Sequence, residues 1–181
     1  MPTKGFFWID FAPVTVVGIL FISQIIVGVY FLSEVSQIEI WAYIGVGLYV
    51  FSGLVFGWLP VIEFRRKGGV RSGKSYIHTT ELVDTGIYSI VRHPQYVTFI
   101  VWAVAGVLLF QHWTVTLLGI PIFPLTYIDL IRADRDAIEK FGDDYKAYMK
   151  KVPRMNFLVG ILRLLRRRRK QSQTADTNLI A

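Results

Sequence analysis

A chain of 181 residues that is 53% hydrophobic, with a mean hydropathy of +0.45, is too apolar for a soluble domain of its length and reads as a membrane protein. Its net charge of +7 raises nucleic acid as a partner, but the basic residues are placed as membrane topology demands and no nucleic-acid-binding module accompanies them, so that class is set aside. The lack of cysteine excludes a disulfide framework, a thiolate nucleophile and cysteine-ligated zinc or iron–sulfur sites.

A helix needs roughly 20 apolar residues to cross a hydrocarbon core about 30 Å thick. Phe11 to Leu32 and Trp41 to Ile62 each supply such a segment. The first is too long, and lacks the small-residue cleavage site, for a secretory signal. Tyr96 to Phe110 and Trp113 to Ile131 supply a second pair, joined by a turn of only Gln111 and His112. The third segment is short and needs residues before Tyr96 or beyond Phe110.

Charge placement supports about four spans. No Lys or Arg occurs from Gly5 to Phe64 or from His93 to Ile131, and the bases fall at Lys4, in Arg65 to Arg92 and in Arg132 to Lys170. The first interhelical loop carries Glu34 and Glu39 instead. Under the positive-inside rule both termini and the middle loop face the cytoplasm. An odd number of spans would split the basic segments across the membrane.

Between the two hairpins lies an insert, Glu63 to Gln95, long enough to be functional rather than a mere connector. Its first part, Arg65 to Ser75, is basic and glycine-rich, suited to anionic headgroups. Gly68 with Gly73-Lys74-Ser75 meets the P-loop spacing, but it follows a membrane span and lacks a βαβ context, so it is read as coincidence. The second part, Ser75 to Val91, mixes Tyr76, Ile77, Leu82, Val83, Ile87 and Tyr88 with polar residues and is expected to fold back under the membrane face. Pro94 fits the first turn of the third span, where its missing N–H costs nothing.

Beyond Arg132 an amphipathic extension is predicted, interrupted at Phe141-Gly142, with Phe141, Tyr145, Tyr148 and Met149 on one face. Phe157 to Lys170 combines Leu158, Ile161, Leu162, Leu164 and Leu165 with Arg166 to Lys170, and reads as an interfacial anchor on an anionic leaflet. Gln171 to Ala181 is expected to be disordered.

The segment Gly86 to Tyr96 concentrates an arginine, a histidine, a proline and two tyrosines at a membrane edge, where ionisable groups are costly and mark a site. Leu82-Val83, Gly86-Ile87-Tyr88 and Arg92-His93-Pro94-Gln95-Tyr96 come first. After one helical hairpin follow Glu139-Lys140-Phe141-Gly142-Asp143-Asp144-Tyr145, Tyr148 and Val152-Pro153-Arg154. This ordered set resembles the integral-membrane methyltransferases that include isoprenylcysteine carboxyl methyltransferase, with phospholipid methyltransferases more distant. The resemblance implies S-adenosylmethionine bound on the cytoplasmic side and a lipid-like or prenylated methyl acceptor entering from the bilayer. By position it implies that Thr80, Glu81, Leu82 and Val83 line the cofactor, that Tyr88 contacts it, and that His93, Pro94, Gln95 and Tyr96 hold it. The family's carboxylate pair falls here on Ala133 and Asp134, so the first carboxylate is missing and Asp134 stands in. The family's acceptor-linked arginine falls on Asp129, with Arg132 one helical turn away as its replacement.

The expected fold is an all-α integral membrane protein with about four transmembrane helices in two hairpins. Residues 1–62 would form the first hairpin, 63–170 the methyltransferase core with its cytoplasmic cofactor-binding insert and C-terminal helical extension, and 171–181 a tail. A sulfonium donor is a cation that tyrosine faces can stabilise, and Asp134 or Glu81 can take its ribose hydroxyls or amino group. An acceptor carboxylate is already ionised at pH 7 and needs no base; a cation that holds it fits the task, and Arg92 and Arg132 are the candidate catalytic groups. An amine acceptor, as in phospholipid N-methylation, would need a base such as His93 or Glu81. The same segments admit non-catalytic readings: Arg92 as a topology determinant, His93 as a helix cap, Tyr88 and Tyr96 as interfacial anchors, and the whole chain as a membrane adaptor binding anionic lipid or an acidic partner. A membrane reductase would need a dinucleotide fingerprint, which is absent. The scatter of His78, His93 and His112 argues against a metal site.

Overall fold

A computed structural model describes residues 12–34, 38–69 and 80–180. Among the described residues seven α-helices follow one another: α1 (Ala12–Tyr30), α2 (Glu39–Ser52), α3 (Leu59–Lys67), α4 (Pro94–Phe110), α5 (Trp113–Gly119), α6 (Ile122–Lys151) and α7 (Phe157–Ile180). A π-helical stretch, Gly53–Trp58, makes α2 and α3 one continuous helix, and a 3-10 turn, Gly86–Ser89, precedes α4. No strand occurs among the described residues.

Among the described residues two helical stretches are long and apolar enough to cross a bilayer, Glu39–Lys67 with 29 residues and Trp113–Lys151 with 39, while Val14–Tyr30 and Pro94–Phe110 are shorter apolar helices. Pro94 opens α4 as expected and supplies the residues that the third apolar segment needs before Tyr96. Gln111 and His112 form the tight connection to α5, with Gln111 at φ 48°. Several expectations lie outside the described residues: Lys4, Phe11, and the basic loop from Val70 through Arg71, Gly73-Lys74-Ser75, Tyr76 and Ile77 to His78.

The chain forms two compact units. The first comprises Met1–Val55 and Gln95–Asp136. Here α1 packs on α5, and Val17, Phe21, Ala103 and Ile122 form the core, with Phe99 and Trp102 against it. Outward, Ile19, Ile22 and Ile26 of α1 and Tyr43, Val46 and Val50 of α2 are exposed apolar side chains. Helices approach closely at Gly45, where a Cβ would lie 2.8 Å from the Ala105 carbonyl oxygen. Next to the π-helical stretch, α4 reaches the backbone of α2. Trp102 Nε1 donates to the Tyr49 carbonyl at 3.1 Å and Thr98 Oγ1 to the Ser52 carbonyl at 3.4 Å, a usual way to satisfy a disturbed helix ladder. Gln24, fully buried, donates Nε2 to the Val115 carbonyl at 3.0 Å.

The second unit comprises Phe56–Pro94 and Ala137–Ala181. Its core is Tyr145, Tyr148 and Val152, packed by Leu82, Ala137, Ile138, Phe141 and Met149. The predicted interruption of the extension sits at Gly142, whose φ of 58° and ψ of −129° kink α6; a side chain there would be strained. Residues 171–180 continue α7 as helix to Ile180; extending an established helix adds a hydrogen bond for each residue fixed, and Gln171 to Thr177 contains neither Gly nor Pro to stop it.

Candidate functional site

The irregular segment from Gly68 to Pro94 is built upward from the end of α3. Gly68 caps α3, its N–H bonding the Phe64 carbonyl at 2.9 Å, and its own carbonyl accepts from Thr80 N at 2.8 Å and Glu81 N at 3.3 Å. Thr80 Oγ1 donates to the Gly69 carbonyl at 3.1 Å. Gly69, at φ 62°, permits this close approach: a Cβ there would meet Thr80 Oγ1 and come within 3.2 Å of Glu81 Cγ. Thr80 and Glu81 are exposed at this closure, Leu82 joins the tyrosine core, and Val83 is buried.

A second clamp follows. Thr85 Oγ1 donates to Glu63 Oε1 at 2.8 Å and accepts from Lys67 Nζ at 2.9 Å, while Lys67 Nζ lies 2.8 Å from Glu63 Oε1. Gly86, at φ 57°, turns the chain against this carboxylate, since a Cβ would lie 2.9 Å from Glu63 Cδ. The 3-10 turn then drives Tyr88 inward to 4% exposure, its ring 4.6 Å from that of Phe64.

From Tyr88 to His93 the segment is held by its backbone. Tyr148 OH donates to the Tyr88 carbonyl at 2.6 Å, Arg92 N to Pro153 O at 3.1 Å and His93 N to Arg154 O at 3.2 Å. Arg167 Nη2 donates to the Ser89 carbonyl at 2.8 Å. Side chains converge on one ring. His93 Nε2 lies 3.3 Å from Tyr145 OH, and the guanidinium carbon of Arg92, a residue 8% exposed, stands 5.9 Å from the Tyr145 ring centroid. Tyr145 and Tyr148 meet edge to face at 5.7 Å. Just after the kink, a hydrogen bond and the charge of Lys146, 2.8 Å away, hold the Asp143 carboxyl below the usual range.

Of the predicted residues, the second unit thus gathers Tyr88, Arg92, His93 and Leu82 around Tyr145 and Tyr148, with Thr80, Glu81 and Val83 on the same segment and Pro94 at its end. Gln95, Tyr96, Arg132 and Asp134 belong to the first unit. Tyr96 packs edge-on to Phe99 at 5.9 Å, Asp134 is 4% exposed, and Arg132 is half-buried one turn from the buried Asp129. Tyr145 and Arg154 were absent from the predicted set of site residues. The three-residue spacing of Tyr145 and Tyr148 was the available signal, and a packing stripe gives the same pattern. Among the described residues no group of three or more His, Cys, Asp or Glu is placed to hold a metal ion. A cleft of about 320 Å³ lies elsewhere, in the first unit, lined by Trp41, Val107, Leu108, Gln111, His112, Trp113 and Thr116; it contains none of the candidate residues.

Residues 74–139 match the model of the isoprenylcysteine carboxyl methyltransferase family. Over 114 residues, 58% of this chain, the sequence is 31% identical to the protein-S-isoprenylcysteine O-methyltransferase of Schizosaccharomyces pombe. The match covers 48% of that protein, so the chain spans about half the length of the curated relative it matches. No solved structure matches the chain. The resemblance carried by the motifs is therefore met over residues 74–139, a stretch that holds every predicted residue from Thr80 to Asp134 and ends before Tyr145.

Proposed function

We propose that this chain is a multi-pass membrane methyltransferase that carries a methyl group from S-adenosylmethionine to the carboxylate of an isoprenylcysteine-type acceptor. One observation carries the reading. Two motifs of the family resemblance, far apart in sequence, meet through His93 and Tyr145 at 3.3 Å and through the Tyr148 to Tyr88 bond at 2.6 Å. Residues 63–170 would be the catalytic core after a membrane hairpin at 1–62. Four spans, with the site and both termini on the cytoplasmic side, are the arrangement that the charge distribution favours.

The residues fit such a donor. The exposed Glu81 at the Gly68–Glu81 closure places a carboxylate for ribose or amino groups, and the half-buried His93 stands 3.3 Å from the Tyr145 hydroxyl. Asp134 is assigned to the cofactor and Arg132 to the acceptor from the resemblance. Tyr88, its ring packed on Phe64, is assigned to the cofactor from the resemblance. Once bound, S-adenosylmethionine supplies an electrophilic methyl on a cationic sulfur. The acceptor carboxylate is ionised at pH 7 and the protein needs no general base. Arg92 would fix the acceptor carboxylate, and its seat over Tyr145 limits where that carboxylate can lie. The gain comes from alignment and exclusion of water. Acceptance of a phospholipid amine is the second reading, favoured by His93, an imidazole that could take the amine proton.

The test is calorimetric titration of the detergent-purified protein with S-adenosylmethionine and its demethylated product. Saturable binding lost in His93→Ala, with methyl incorporation into a prenylated cysteine peptide but not into ethanolamine lipid, is the expected result. A folded, monodisperse sample that binds neither compound would overturn the proposal.

A further inference from the structure

Helix α7 has two faces with different work. With about 100° between successive residues, Leu158, Ile161, Leu162 and Leu165 share one arc, and all four are exposed, at 62%, 39%, 55% and 51%. The opposite side carries Gly160 and Arg167, and it is the packed one. Gly160 is buried so tightly that a Cβ would run into the Ile90 carbonyl oxygen, and Arg167 donates to the Ser89 carbonyl at 2.8 Å. Both contacts fall on the Tyr88–Arg92 segment of the candidate site.

The surroundings of α7 identify what covers the exposed arc. Phe157, which opens α7, packs its ring 5.8 Å from Phe56, a residue of the membrane-competent helix Glu39–Lys67. The start of α7 is thereby fixed beside apolar, lipid-accessible helix. From Phe157 to Arg169 the helix has no acidic residue, and Arg163, Arg166, Arg168 and Arg169 are exposed. An apolar arc flanked by arginines at the edge of a membrane helix complements an anionic bilayer surface, with the leucines in the acyl boundary and the guanidinium groups among phosphates.

We infer that α7 reads the charge of the membrane surface and passes it to the cofactor-binding segment through Gly160 against Ile90 and Arg167 against Ser89. The inference rests on the proposed function only in calling that segment cofactor-binding. An anionic surface holds α7 in place, and the Arg167 bond and the Gly160 contact then order Ser89 to Arg92. In a neutral bilayer α7 is less firmly seated and the same residues open more often.

The chain has no cysteine, so a single Leu162→Cys variant of the full chain can carry an environment-sensitive dye. It is placed in nanodiscs of phosphatidylcholine alone or mixed with phosphatidylglycerol, and amide hydrogen exchange of residues 87–94 is followed in the same samples. Expected are a blue-shifted dye quenched by spin-labelled lipid in the anionic bilayer, and exchange at Ser89 to Arg92 slowed about 5-fold or more relative to the neutral one. Arg166→Glu/Arg168→Glu/Arg169→Glu should remove both effects, whereas Arg167→Ala should remove the exchange effect and leave the dye inserted. A dye signal indifferent to lipid charge overturns lipid recognition. Displacement of the dye by soluble polyglutamate also overturns it and assigns the face to an acidic protein. A lipid-dependent dye with unchanged exchange, or an exchange effect that survives Arg167→Ala, overturns the coupling. S-adenosylmethionine is titrated in parallel: absence of binding with the exchange effect intact would remove the methyltransferase reading and leave the coupling standing.

Discussion

The two units of this chain are held together by different physics. In the first, apolar helices pack on one another, glycines let backbones approach, and a few polar side chains such as Gln24 and Trp102 bond to main-chain carbonyls. In the second, an irregular segment is held by side-chain hydrogen bonds to α3, α6 and α7 and by backbone bonds to Pro153 and Arg154, and its core is largely tyrosine. The difference explains where chemistry can reside. A helix in lipid spends its backbone groups on itself, whereas a segment such as Gly68 to Pro94 has donors and acceptors to place and needs neighbours to fix them.

The largest test of this contrast is Gly160→Ala. Its Cβ meets backbone, which cannot rotate away, so α7 must move off Ile90, with a loss of about 3 kcal/mol expected at the upper end of overpacking. Thermal unfolding of the detergent-solubilised protein measures it, and an unshifted midpoint would show that α7 is not seated on the segment.

Next comes Gly45→Ala in the first unit, where the Cβ would lie 2.8 Å from the Ala105 oxygen and the Leu109 nitrogen. About 2 kcal/mol is expected. This variant should retain S-adenosylmethionine affinity in the fraction that remains folded, because Gly45 packs against Ala105 and Leu109, neither of them a candidate site residue; a change in affinity would tie this helix packing to the site.

Tyr148→Phe sharpens the contrast from the other side. It deletes one buried bond, to the Tyr88 carbonyl, for about 1–2 kcal/mol. Cofactor binding should weaken more than the melting midpoint falls, since the bond fixes the segment that carries His93. Equal loss of both would make Tyr148 a packing residue only.

Smallest is Gln24→Leu, expected to cost no more than about 1 kcal/mol despite full burial, because hydrogen bonds between membrane helices average about 0.6 kcal/mol. Gly47→Ala is its companion control: nothing lies within 4 Å of the added Cβ, so the midpoint should hold or rise slightly.

Much of the architecture was legible before any coordinates. Hydropathy and the spacing of bases gave the apolar helices, Pro94 marked the start of α4, and Phe141-Gly142 marked the kink in α6. The motif order pointed to the Tyr88–Tyr96 segment. Other features were illegible for identifiable reasons. The π-helical stretch leaves no trace in hydrophobic period, the helical tail follows from propagation rather than from composition, and Gln24 looks like a stray polar residue until Val115 is found beside it.

Residue types and their spacing were enough to read a helical chain, where its apolar, membrane-suited segments lie, and where an arginine, a histidine and two tyrosines fall together, because these follow from local solvation and fixed spacing. It took the folded chain to show that Tyr145 stands beside His93 and Arg92, that Tyr148 and Arg167 hold the backbone of Tyr88 and Ser89, and that Gly160 has no room for a side chain. Those are contacts between residues dozens of positions apart, set by how helices and a loop close on one another, and no local pattern encodes them.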